Sequence, residues 1–183
     1  MCLRLRLSLD GDQRIDMDGW SGDALQDACE NGHEGIVRLL LSLDGERRID
    51  VHGWNKAAFQ SACRCGHEGI VKLLLSLDGD QRIDVHHWIK AAFRDACENG
   101  QEGIVKLLLS LNGDRLVDVH AGNEGAFRSA CRNGHEGVAK LLLLLNGDQR
   151  IDVHTGDEDA FRSACSNGQE GIVQLLLSLD SDR

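Results

Sequence analysis

The sequence predicts an all-α solenoid of stacked helix pairs joined by short β-like finger loops. Three observations carry this. The block Gly-His/Gln-Glu-Gly starts at Gly32, Gly66, Gly100, Gly134 and Gly168, and each interval is 34 residues. A fixed period in this range marks a stacked repeat array and not a globule with one centre. Each period holds two apolar segments of helical pattern. Between periods lies a β-branched run, Ile-Asp-Val-His, as at Ile83 to His86. The expected organisation is one array: a half repeat at 1–17, repeats at 18–51, 52–85, 86–119 and 120–153, and a C-terminal repeat at 154–183.

The first apolar segment reads AFRSAC at Ala126 to Cys131. One column holds Leu25, Phe59, Phe93, Phe127 and Phe161. Three and four residues later come Ala28/Cys29, Ala62/Cys63, Ala96/Cys97, Ala130/Cys131 and Ala164/Cys165. The i, i+3, i+4 spacing places one large and two small residues on a single helical face. Asn-Gly follows at Asn31, Asn99, Asn133 and Asn167, and glycine just past the last periodic residue is a helix C-terminal signal.

The second segment reads GIVKLLLSL at Gly103 to Leu111 and is apolar nearly all round. A helix of that kind must be buried on most faces, here by its partner and by both neighbouring repeats. At about ten residues it is far too short to span a bilayer. It ends in Asp-Gly-Asp or Asn-Gly-Asp, which is turn chemistry. The Ile-Asp-Val run that follows is expected to form one arm of a hairpin-like finger.

Two short helices, a Gly-His junction, a Lys-Leu-Leu-Leu second helix and an Asp-Val-His finger together resemble the ankyrin repeat. GHEGIVKLLL at Gly66 to Leu75 resembles that family's second helix, and Asp84 to His86 resembles its finger. The resemblance covers essentially the whole chain. The chain departs from the pattern in three ways. The family's T-P-L-H opening is replaced by Gly125, Ala126, Phe127 and Arg128. Proline is absent, and the period is 34 rather than 33. Tetratricopeptide repeats share the 34-residue period, but their Trp, Tyr and Pro landmarks do not fall in register here. The ankyrin resemblance implies non-enzymatic protein binding on a concave face formed by fingers and first helices.

Composition narrows the partner. Lysine and arginine total 20 against 30 acidic residues, a formal charge of −10. With no basic stripe, nucleic acid is not expected as a partner. Acidic residues recur at Asp80, Asp114 and Asp148 and at Asp84, Asp118 and Asp152, either as a solvated ridge or as a weak field that steers a basic partner. Five of the seven cysteines share one small-residue column, a packing distance apart and beyond disulfide reach. They are expected to be reduced core thiols, with Cys65 the exposed one, in an intracellular, reducing setting. No secretory or membrane segment is expected.

Catalysis and metal binding find no support. Junction histidines (His33, His67, His135) and finger histidines (His52, His86, His120, His154) lie one repeat apart, too far to share a zinc ion. The junction set is expected to orient the turn by hydrogen bonds. No cofactor fingerprint is present.

The variable positions are more informative. Trp20, Trp54 and Trp88, all the tryptophans of the chain, form a ladder that stops halfway along. Either the rings form a hot spot for a partner, or each packs on its neighbouring finger. Around them lie Lys56, His87, Ile89 and Lys90, and further along the same column come Glu124 and Glu158. By position, the resemblance adds Gln60, Arg94, Arg128 and Arg162 to the candidate partner-binding surface; these arginines could instead cover the Phe ladder. The expected function is a protein- or peptide-binding scaffold. The alternative is a structural spacer, or a segment of a longer array that associates end to end through an uncapped C-terminal repeat.

Overall fold

The computed structural model describes residues 21–43, 51–77, 88–113 and 116–180. They form five helix pairs: α1 (Ser21–Glu30) and α2 (Glu34–Leu41), α3 (Val51–Cys65) and α4 (Glu68–Leu75), α5 (Ile89–Glu98) and α6 (Glu102–Leu109), α7 (Ala121–Asn133) and α8 (Glu136–Leu143), α9 (Thr155–Ser166) and α10 (Glu170–Asp180). First helices pack on first helices and second on second. The first helices lie closer together, which puts them on the inside of the curve.

The large–small–small pattern of the first helices is the core. Phe59, Phe93 and Phe127 are sealed between repeats, and Ala62, Cys63, Ala96, Cys97, Ala130 and Cys131 are fully buried. Small residues let adjacent helices approach, and the phenylalanine fills the space beside them. In the second helices the fully buried set is narrower than an all-round apolar helix predicts. Ile70, Val71 and Leu74 are buried, while Leu73 and Leu75 are half-buried and Lys72 faces solvent. Serine after the leucine run ends α2, α4 and α6: Ser76 Oγ donates to the Leu73 carbonyl at 2.7 Å, and Ser110 repeats this on Leu107 at 2.6 Å.

The Gly-His/Gln-Glu-Gly block turns out to be a device that joins repeats. Its first glycine ends the first helix in the left-handed region, with φ +71 at Gly100. The His or Gln of the next repeat lies against that bare Cα; a Cβ at Gly100 would stand 2.6 Å from Nδ1 of His135. That same side chain reaches back across the boundary. His67 Nε2 bonds the Glu30 carbonyl at 2.9 Å, His135 Nε2 bonds that of Glu98 at 2.8 Å, and Gln101 Nε2 donates to that of Arg64 at 3.1 Å. The hydrogen bonds expected of the junction histidines are therefore made between repeats, capping carbonyls that the preceding first helix leaves unpaired. The glutamate begins the second helix, pairs with the lysine one turn on, and folds over the second glycine of the next repeat, as Glu68 does over Gly103.

The fingers differ from a β-hairpin. No strand occurs among the described residues. The finger is extended and alternates, with Val117 and Val119 buried around the exposed Asp118, but it forms no ladder among the described residues.

Burial falls away at both ends of the described stack. Ile70, Ile104, Val138 and Ile172 are sealed, whereas Ile36, on the first of the described second helices, is 49% exposed. At the other end Phe161 is only half-buried, and Cys165 is exposed while Cys29, Cys63, Cys97 and Cys131 are buried. This corrects the expectation of five equivalent core thiols with Cys65 the exposed one. Cys65 is half-buried, and Cys165 is open because no described first helix follows α9.

Two stability changes follow. Phe93→Ala should cost about 3–5 kcal/mol in denaturant unfolding, the range for truncating a sealed aromatic; an unchanged transition would contradict burial of this column. Gly100→Ala should cost about 1–2 kcal/mol, because it forces a side chain into a left-handed conformation against His135. Gly35→Ala should instead gain up to about 1 kcal/mol, since a Cβ there meets nothing within 4 Å and alanine favours the helix. The same sign for both glycine changes would refute the difference drawn between the two glycines of the block.

Candidate functional site

The inner face of the curve carries the first-helix polar column. Arg94 and Arg162 are exposed on it, and Gln60 and Arg128 are half-buried. Arg128 is tied down: its Nη1 donates to Asp159 Oδ2 on α9 at 2.7 Å. Lys90 Nζ donates to Asp118 Oδ2 on the following finger at 3.1 Å. Both pairs cross a repeat boundary and are partly exposed, so they hold side chains in place more than they stabilise the fold.

The tryptophan column is described at one position. Trp88 caps the start of α5, is half-buried and packs against the hydrophobic core. Trp20 and His87, and the side chains of Trp54 and Lys56, lie outside the described residues. Ile89 is a correction: it is 2% exposed and belongs to the core, so it faces inward and is not available to a partner. An apolar side chain in the first turn of α5 has the interior within reach, where Asn123 at the same place in the next repeat faces solvent.

The connectors into α5 and into α7 and α9 differ. Before α5, Trp88 and Ile89 lead directly into the helix. In α7 and α9 the chain instead makes a left-handed turn over Gly122, Asn123 and Glu124, and again over Gly156, Asp157 and Glu158, with φ from 55 to 70. Regular helix begins only after these turns. Non-glycine residues hold this conformation at a cost, and here hydrogen bonds hold the turn. Glu124 is turned inward and 4% exposed; it does not lend the surface a negative charge opposite Lys90. Its Oε1 accepts from His120 Nδ1 at 2.7 Å and from the Asp152 amide at 3.3 Å. His154 and Glu158 repeat the pairing at 2.6 Å, with Glu158 left exposed. Reading Glu124 as a surface charge missed this. The recurrent His-x-Gly-Asx-Glu, an i, i+4 pair behind a glycine, was the available signal.

His120 links two repeats. Nδ1 meets the Glu124 carboxylate, and Nε2 meets the Asp148 carbonyl at 2.7 Å. Both partners are acceptors, so only the imidazolium makes both bonds. The hydrogen bond to Glu124 does most to raise the His120 pKa and the Asp148 carbonyl bond comes next; burial opposes them, and the charges of Glu124 and Asp118 add to the rise.

The space between α5 and α7 is a cavity of about 400 Å³ lined by the finger residues Asp118, Val119 and Ala121 and by side chains of both helices, among them Lys90, Arg94, Arg128 and Arg132. Its lining also includes the hydroxyl of Ser129. Burial pushes the thiols of Cys29 and Cys131 up to about 12 and those of Cys63 and Cys97 upward as well, so the thiolate needed for attack does not form near neutral pH. Among the described residues no cluster of His, Cys, Asp or Glu is arranged to hold a metal ion, and no helix is long and apolar enough to cross a membrane.

A folded-state pKa above the ordinary histidine value of about 6.5 means that the His120 bridge stabilises the fold fully at acid pH and loses that contribution as pH rises through the raised value. An NMR titration should place the His120 midpoint above those of unpaired histidines, and Glu124→Gln should lower it. The stability gap between wild type and Glu124→Gln should shrink with rising pH; a gap that widens would contradict the bridge.

Among curated proteins, none matches the chain. The family model for ankyrin repeats (3 copies) matches residues 4–87 and 90–182, nearly the whole chain. Members of that family generally mediate protein–protein interaction and are typically non-enzymatic. With paired helices, inward Phe-Ala-Cys columns and repeat-spanning Gly-His/Gln-Glu-Gly junctions already in place, this match makes the chain a member of the ankyrin-repeat family.

Proposed function

We propose that the chain is a scaffold that binds a protein or peptide along the inner face of the curve, over fingers and first helices. The observation that favours this most is the open cavity between α5 and α7, walled by polar side chains that the core does not use. The surface comprises Trp20, Trp54, Trp88, Lys56, His87, Lys90, Gln60, Arg94, Arg128 and Arg162, with Ile89 beneath it as support. Trp88 is half-buried against the core, and rigid amphipathic rings of this kind anchor interfaces.

A second reading has its own observation. At the last helix pair, Val153, Phe161, Leu176 and Leu177, together with His154 and Glu158, line a recess of about 220 Å³. Phe161 belongs to the column that is sealed wherever another first helix follows. An end-to-end contact between copies would cover it, as in a spacer or self-associating array.

Two measurements divide the readings. Peptides selected from a displayed library for binding to the chain should protect α5 and α7 amides from hydrogen exchange. Protection confined to the second helices would sink the inner-face assignment. Sedimentation velocity over a rising concentration series should show a monomer; mass that grows with concentration, and that Phe161→Ser abolishes, would favour end-to-end association.

A further inference from the structure

The tryptophan ladder ends where the cavity opens. One period beyond Trp88 stands Gly122, and a Cβ built on Gly122 or on Gly125 meets nothing within 4 Å. Both glycines line the cavity and carry no side chain into it, so they form an open floor. Cations surround this floor. In a chain with formal charge −10, the lining includes Lys90, Arg94, Arg128 and Arg132 but a single carboxylate, that of Asp118.

These charges are not equally engaged. Asp118 holds Lys90, and Asp159 holds Arg128 from α9. Arg128 still leaves its Nε buried without an acceptor. Arg94 and Arg132 form no ion pair with any described residue, although Arg64, one turn-position equivalent two periods before Arg132, reaches back to Glu30 at 3.2 Å. Arg132 lines the cavity instead of pairing with Glu98 in the same manner. Two guanidinium groups, one from each wall, are thus available over a floor that a chain can approach closely. Guanidinium is a planar fork of donors that matches a carboxylate, and it is strongest where water is partly excluded. A basic segment would meet like charge here. A nucleic acid would meet the acidic remainder of the surface.

We propose that the cavity between α5 and α7 is a subsite for a carboxylate side chain, Asp or Glu, of an acidic peptide segment in the protein partner. This rests on the inner-face reading above and adds the chemistry of the partner. Arg94 and Arg132 hold the carboxylate, Lys90 and Arg128 set the rim through their own acidic partners, and Gly122 keeps the space open.

The test uses the full chain and fluorescence anisotropy at low salt. The probes are a short fluorescein-labelled Glu-Ala repeat peptide, its Gln-Ala counterpart, and a phosphoserine-Ala version. The Glu-Ala peptide should bind, the Gln-Ala peptide should bind at least about tenfold more weakly, and Arg94→Glu with Arg132→Glu should reduce Glu-Ala binding by about tenfold or more. Both arginines are exposed, so circular dichroism should show the variant folded. Arg38→Glu, on the outer face of α2, should leave binding within about twofold of wild type. Gly125→Trp, at a lining position of ordinary helical backbone where a Cβ meets nothing within 4 Å, should fill the cavity and also weaken binding. Equal loss with Arg38→Glu would mean diffuse attraction and overturn the subsite. Binding of the phosphoserine peptide alone would overturn the carboxylate assignment. Equal binding of Glu-Ala and Gln-Ala peptides, with α5 and α7 amides protected, would overturn the subsite and leave the inner-face reading standing. No binding by any probe would overturn the subsite, while the selected-peptide experiment would still decide the face.

Discussion

No repeat in this chain can close its own interior. Phe93 is sealed only because α3 and α7 lie on either side of α5, and the alanine–cysteine seam beside it lets them come close enough to do so. Everything else follows from that dependence. A larger residue in the seam would hold neighbouring helices apart and unseal the phenylalanine, so the seam stays small in every period. The same dependence explains the gradient of burial. Identical residue types are buried in the middle of the stack and open at its ends, as Ile36 and Phe161 are, for want of a neighbour.

Apolar packing alone would leave the repeats free to slide. The junction block fixes their register with directional bonds. A histidine or glutamine from one repeat bonds a carbonyl at the end of the previous first helix, and it lies on a glycine that has no Cβ to obstruct it. The side chain changes between His and Gln from one period to the next, yet the bond persists, because both residues can donate from about the same reach. This places the junction under tight geometric demand and leaves the connectors free to vary.

That freedom is where the proposed surface arises. Where a connector carries Trp and Ile, it closes onto the core. Where it carries Gly-Asx-Glu, it makes a left-handed turn stabilised by the histidine before it. The connectors into α5 and α7 differ in this way, and the cavity lies between those two helices. The buried thiols lie apart from it: burial raises the pKa of Cys29, Cys63, Cys97 and Cys131, which belong to the seam and not to the cavity lining.

The period, the helix pairs, the columns that face inward and the family were legible in the residues. The reason is physical. A residue type repeated at a fixed interval must meet the same surroundings each time, so its periodicity reports its burial directly. The tertiary structure alone decided what depends on a neighbour or on the hand of the backbone. Ile89 turned inward because the core lay within its reach at the start of α5. Glu124 turned inward because a left-handed turn aimed it at His120. Cys165 stayed open because no described first helix follows its own. Gly122, which as a letter in the sequence marks only the end of a tryptophan ladder, became the floor of a cavity because the walls belong to different repeats. No single position records what stands opposite it, and that juxtaposition exists only once the repeats are stacked.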